Sequence, residues 1–140
     1  KRWTLLINDL CRQAIENKIL KLNSDGSQYI DFISLSDVEN VVEDIVKKPM
    51  NYSNKNIYNL GSGKSLKVIE MAKMIANEYE NLYNSKIEII SSDKKTKEVQ
   101  NKFIYSIDRL LSKNIIVSNE FKTEIKKLLI FCKLNFTNFD

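Results

Sequence analysis

The sequence predicts a mixed α/β chain, or α+β if it stands alone, with helices packed on a few short strands. Three observations predict it. Apolar residues recur at helical spacing in four long stretches of the 140 residues. Short runs rich in β-branched and aromatic residues fall between them, and turn signals such as Asp25-Gly26 and Pro49 punctuate the joints. A hydrophobic share of 43% suits one modest core, and no linker or internal repeat interrupts it, so residues 1–140 are expected to form a single domain.

Each element has its own warrant. From Trp3 to about Asn17, Leu6, Ile7, Leu10, Cys11, Ala14 and Ile15 mark one helical face. Ile19 to Leu22 reads as a strand, NSDGSQ as a turn, and Tyr29 to Leu35 as a second strand. Ser36 with Glu39 fits a capping box, followed by a stripe of Val38, Val41, Val42, Ile45 and Val46 expected to be buried. Pro49 stops that helix. Ile57 to Leu60 is a strand candidate before a glycine turn. A helix capped near Ser65 then runs to Tyr79 or beyond with Leu66, Ile69, Ala72, Ile75, Ala76 and Tyr79 on one face. Lys86 to Ile90 is a strand, residues 91–101 a polar loop, Phe103 to Tyr105 extended, and Ser106 opens a short helix. The last helix spans Asn119 to about Leu134 with Phe121, Ile125, Leu128, Leu129 and Cys132 inward.

Several chemistries are excluded. Residues 61–65, GSGKS, resemble the end of a phosphate loop, but a Walker A loop needs a glycine five residues before Gly63, where Tyr58 stands. The three glycines, Gly26, Gly61 and Gly63, cannot build a dinucleotide-binding loop. With no histidine, the chain holds no His-based metal site, triad or dyad. Cys11 and Cys132 lie on apolar helix faces and read as buried free thiols. The net charge of +4 permits an anionic ligand. Lys94, Lys95, Lys97 and Lys102 cluster, but no aromatic RNA-binding signature accompanies them, which argues against nucleic acid. No apolar run approaches a membrane span, so a cytoplasmic protein without a membrane partner is expected.

The order of motifs carries a resemblance. DGSQYIDFISLSDV (25–38) is similar to D-G-S-Q-x-R-D-F-I-H-V-x-D-V. IYNLGSGKSLKVIEMAKMI (57–75) is similar to a Y-N-[IL]-G-S-G segment. KTKEV (95–99) and YSIDRLLSK (105–113) are similar to the R-x-G-[DE]-V and S/D-x-x-K-x-x-x-L-G segments. Together they resemble the carboxy-terminal, substrate-binding portion of NAD-dependent sugar-nucleotide epimerases and dehydratases, the extended short-chain dehydrogenase/reductase family. The resemblance runs from about Trp3 to Phe131.

It implies a division of labour. NAD would serve the parent enzyme and bind a Rossmann domain preceding this chain, which itself would bind no cofactor. None of the six tyrosines has a lysine four residues on, so the family's Tyr-x-x-x-Lys pair is missing and no catalytic residue is expected here. The chain is therefore expected to be a fragment, inactive alone, that grips a nucleoside-diphosphate sugar. Lys95 takes the place of a diphosphate-binding arginine, keeping the charge but losing the fork geometry. Glu98 takes the place of a carboxylate that accepts ribose hydroxyls, and Lys21 to Asn23 occupy the strand end beside the base. Two departures favour an alternative, a non-catalytic binding module that has lost its diphosphate site: Ile30 replaces an arginine and Ser34 a histidine. The missing half also implies an uncovered apolar face, and with it self-association or strand exchange.

Overall fold

The computed structural model describes residues 3–52, 57–92 and 102–137. The chain divides into two compact units, each assembled from separated segments.

The first unit takes residues 1–28, 67–100 and 121–140. Helix α1 (Leu6–Asn17) leads through Lys18, in left-handed conformation, into strand β1 (Ile19–Leu22). Helix α3 (Val68–Tyr83) leads into strand β4 (Glu88–Ser91), and α5 (Phe121–Phe136) closes the unit. β1 and β4 pair in parallel, from Ile19 opposite Glu88 to Leu22 opposite Ser91. Parallel strands require a crossover, and α3 lies on it. The three helices pack on one another through Leu10, Cys11, Ala14, Met71, Ile75, Leu129 and Cys132, all 0–1% exposed. Trp3 adds an aromatic clasp, stacked on Phe131 at 5.8 Å and edge-on to Phe136 at 4.7 Å.

The second unit takes residues 29–66 and 101–120. Strand β2 (Tyr29–Asp31) pairs with β3 (Ser65–Lys67), whose last residue is assigned to the first unit. Helix α2 (Leu35–Lys47), a 3₁₀ turn (Pro49–Asn51) and the short helix α4 (Asp108–Leu111) complete it. Its core is small: Val41, Ile107, Leu110 and Ile115, flanked by Tyr52, Leu60 and Val117. A core of this size leans on polar fastening, and Asp37 supplies it. The Asp37 carboxylate is fully buried. Oδ1 accepts from the Ser118 N–H at 2.8 Å and the Ser118 hydroxyl at 2.9 Å. Oδ2 accepts from the Ser34 hydroxyl at 2.8 Å and the Asn119 N–H at 3.3 Å. Burial alone would raise its pKa, but these donors outweigh it and hold the carboxyl below its usual 3.8.

The expected elements are mostly present, with four corrections. α2 starts two residues early, capped by Ser34 rather than Ser36: the Ser34 hydroxyl accepts from the Asp37 N–H at 2.9 Å. Burial of Asp37 selects that register. α3 starts at Val68, not Ser65, because the Ser65 hydroxyl donates to the Phe103 carbonyl and Ser65 joins a strand. The Glu70 carboxylate then accepts from the Lys67 N–H at 2.7 Å at the helix entrance. Residues 57–60 form no strand; the Ile57 carbonyl accepts from the Arg109 guanidinium. The stripe on α2 is buried only at Val41, whereas Val42 is 50% and Val46 72% exposed. No helix among the described residues is long and apolar enough to cross a membrane.

Asp37→Asn is expected to destabilise the protein by about 2 kcal/mol at neutral pH, because hydrogen bonds to a buried charge are lost. A depressed folded pKa contributes stability above the unfolded value, about 3.9, and loses it as pH falls through the folded value. The gap between wild type and variant should therefore close in urea melts only at pH below that range.

Candidate functional site

In open α/β folds, ligands gather at the carboxyl ends of parallel strands, where loops from adjacent strands converge. β1 and β4 create such a place inside the first unit. The register sets Leu22 beside Ser91, so both chains leave the sheet together. The Ser92 N–H donates to the Ser24 carbonyl at 3.2 Å, extending contact one step past the strands.

Of the four residues read from the sequence, two lie at this end. Strand alternation buries Leu20 and Leu22 and turns Lys21 outward, where it is exposed. Its main-chain N–H donates to Gln13 Oε1 of α1 at 2.8 Å, so the backbone carrying Lys21 is held while its ammonium stays in water. Asn23, also exposed, is the first residue past β1. Lys95 and Glu98 lie outside the described residues, in the segment that follows Ser92 along the chain. Lys102, the described member of the lysine cluster, is exposed.

The segment NSDGSQ, read as a turn, is shaped by bonds among its own residues. The Gln28 amide donates to the Ser24 hydroxyl at 2.7 Å, and Asp25 Oδ1 accepts from the Ser27 N–H at 3.0 Å and its hydroxyl at 2.7 Å. These short-range bonds give an Asx turn, the signal for which is the Asp-Gly-Ser string itself. Gly26 has φ +74°, and a Cβ there would lie 2.9 Å from Ile69 Cβ and 3.1 Å from the Ile69 nitrogen. The Ile69 N–H in turn donates to the Gly26 carbonyl, and the Val68 N–H to that of Gln28, both at 3.0 Å. The turn is thus pinned against the first residues of α3.

The GSGK turn in the second unit has a different role. The Ser62 N–H donates to Asp31 Oδ1 at 2.7 Å, so the protein's own carboxylate sits where a phosphate loop would hold its anion. A Cβ on Gly61 would lie 2.6 Å from Tyr105 Cδ1, so a side chain there would displace the Tyr105 ring. The turn feeds β3, not a helix, and so offers no helix N-terminus to an anion. Ile30 is half-buried in β2, and Ser34 is a buried helix cap.

Nucleophilic and metal chemistry find no support among the described residues. Burial pushes the Cys11 thiol well up and that of Cys132 to about 11, leaving both protonated. No group of three His, Cys, Asp or Glu side chains there is arranged to hold a metal ion.

No family model matches the chain. Over 78 residues it is 31% identical to dTDP-L-rhamnose 4-epimerase of Burkholderia thailandensis, a match covering 55% of this chain and 21% of that protein. Two solved structures share its fold. RMD from Pseudomonas aeruginosa, complexed with NADPH, superposes with a TM-score of 0.75 at 16% identity over 96% of this chain and 44% of its own. The UDP-N-acetylglucosamine 4-epimerase from Bacillus cereus gives 0.71 at 18% identity, over 93% and 43%. The fold is that of NAD-dependent sugar-nucleotide epimerases and dehydratases. The chain spans about a fifth of the curated relative and less than half of these solved structures.

Gly26→Ala is expected to cost about 1–3 kcal/mol, because the added methyl meets both a forbidden φ and the α3 backbone. Thermal unfolding followed by circular dichroism checks this, with Ser27→Ala as the milder comparison.

Proposed function

We propose that this chain is the nucleotide-sugar-binding portion of a longer NAD-dependent epimerase or dehydratase, acting on a nucleoside-diphosphate sugar. The observation that carries the reading is the paired carboxyl ends of β1 and β4. They set Lys21 and Asn23 beside the point where the segment bearing Lys95 and Glu98 departs. Lysine ammonium groups offer charge to a diphosphate, and a glutamate accepts the hydroxyls of a ribose. In the complete enzyme a Rossmann portion would hold NAD and supply the Tyr-x-x-x-Lys pair. Bound there, NAD would supply reversible hydride chemistry for the sugar, and the tyrosine of that pair would hold the proton of its hydroxyl.

A second reading has its own observation. The two positions that depart from the family pattern are occupied structurally, Ile30 within β2 and Ser34 as the cap of α2. A module that kept the architecture without the diphosphate site would look the same there. The reading frame upstream of Lys1 separates the two: a glycine-rich loop and a Tyr-x-x-x-Lys pair belong to the enzyme.

The exposed side of α2 supports the partner half of the proposal. Leu35, Val42, Val46 and Met50 are 68%, 50%, 72% and 95% exposed on one short stretch of chain. The missing portion of the same polypeptide would cover them, and in its absence a second copy would. Val42→Glu with Val46→Glu should lower the mass measured by light scattering at high concentration; an unchanged, already monomeric mass would refute self-association.

Titration of the ¹⁵N-labelled chain with UDP, UDP-sugars and dTDP-sugars tests the binding site. Shifts are expected at Lys21–Ser24 and Ser91–Ser92 at millimolar ligand, weakened several-fold by Lys95→Ala and by Glu98→Ala, each variant removing about one charge-assisted contact. Silence at these amides would favour the module.

A further inference from the structure

Helix α5 carries apolar side chains on two sides. Phe121, Ile125, Leu129 and Cys132 are buried in the core of the first unit. Ile130, Phe131 and Leu134 fall on the other side at helical spacing, and are 42%, 48% and 68% exposed. A surface helix ordinarily has a single apolar stripe and buries it. The half-buried Trp3 ring stacks on Phe131 and extends the outer patch.

Lysines frame this side. Lys126 and Lys133 stand four residues before and three after Ile130, Lys127 stands four before Phe131, and Lys122 lies one turn earlier; all four are exposed. The one acid of the helix, Glu124, pairs with Lys127 at 2.8 Å. Among the described residues no carboxylate pairs with Lys122, Lys126 or Lys133.

Apolar groups and positive charge on one surface select its occupant. A second copy would set its own lysines against these, and like charges repel. A nucleic acid would take the lysines and leave the apolar side chains in water. A bilayer surface takes both: acidic headgroups meet the lysines, and the acyl boundary receives the apolar side chains. We propose that the outer side of α5 docks on an anionic membrane surface, with Ile130, Phe131 and Leu134 inserted and Lys122, Lys126 and Lys133 against the headgroups. The expectation of no membrane partner came from the length of apolar runs, which tests for a span and not for a helix lying flat. This docking is independent of the nucleotide-sugar reading.

Trp3, the only tryptophan of the 140 residues, reports from the edge of the patch. The 140-residue chain is mixed with vesicles of phosphatidylcholine, alone or with roughly one-third phosphatidylserine. Binding is read by flotation and by Trp3 emission. The acidic vesicles are expected to bind roughly tenfold or more tightly, with a blue shift, and to lose that advantage in about 1 M salt, where charges are screened beyond about 3 Å. Lys126→Gln and Lys133→Gln should each weaken binding roughly fivefold. Ile130→Gln with Leu134→Gln should abolish the blue shift and keep the unfolding temperature, both positions being exposed. Ile57→Gln with Ile116→Gln, each 79% exposed in the second unit, should change nothing. The proposal is overturned if the acidic vesicles are not bound, if both kinds of vesicle bind alike, or if the second-unit variant removes binding as well as the α5 variants do. A chain that ignores vesicles but loses mass in light scattering with Ile130→Gln and Leu134→Gln would overturn it in favour of a second copy.

Discussion

Everything in the first unit depends on how tightly β1 is tied to the start of α3. The chain leaves that unit after Gln28 and returns at Lys67, with a whole second unit between. Two hydrogen bonds close this neck, from Val68 to the Gln28 carbonyl and from Ile69 to the Gly26 carbonyl. Only a residue without a side chain lets the turn approach α3 so closely. Without that closure α3 would not start beside the end of β1, and the crossover that brings β4 parallel to β1 would lose its direction. The strand ends that frame the candidate site inherit their position from this neck.

The second unit solves a different problem. Its apolar core is too small to fix a long irregular segment, so a buried charge does it. A carboxylate removed from water is costly unless its lone pairs are filled, and Asp37 fills its own with donors from Ser34, Ser118 and Asn119. Two of those donors are main-chain groups of a segment otherwise lacking regular structure. Polar fastening thus replaces hydrophobic area where little of the latter exists, and it also sets the backbone of Asn119.

How much of this could be read in the sequence varied by element. The strand Ile19–Leu22 was legible in full, because an apolar run between a helix end and a turn leaves little choice. The helices were legible from their period but not from their caps: Ser34-Leu35-Ser36-Asp37 offers two serines, and only burial of Asp37 decides between them. The role of Asp37 was hidden, since its partner Ser118 lies 81 residues away. The stripe on α2 was visible, but periodicity shows that a face is apolar, not what lies against it. For the site, Lys21 and Asn23 were placed by motif order and found at a strand end. The Ser24–Gln28 pair depends on a turn geometry that no spacing rule expresses.

The interleaving of the two units has a consequence for the order of events during synthesis. The first unit is incomplete until α5 joins it, because α5 follows every segment of the second unit and supplies Ile125, Leu129 and Cys132 to the first core. Until it emerges, α1 and α3 offer an open apolar groove to whatever is nearby. Long-range closure of this kind slows folding and prolongs exposure. A chain still lacking residues 121–136 would therefore present that groove uncovered.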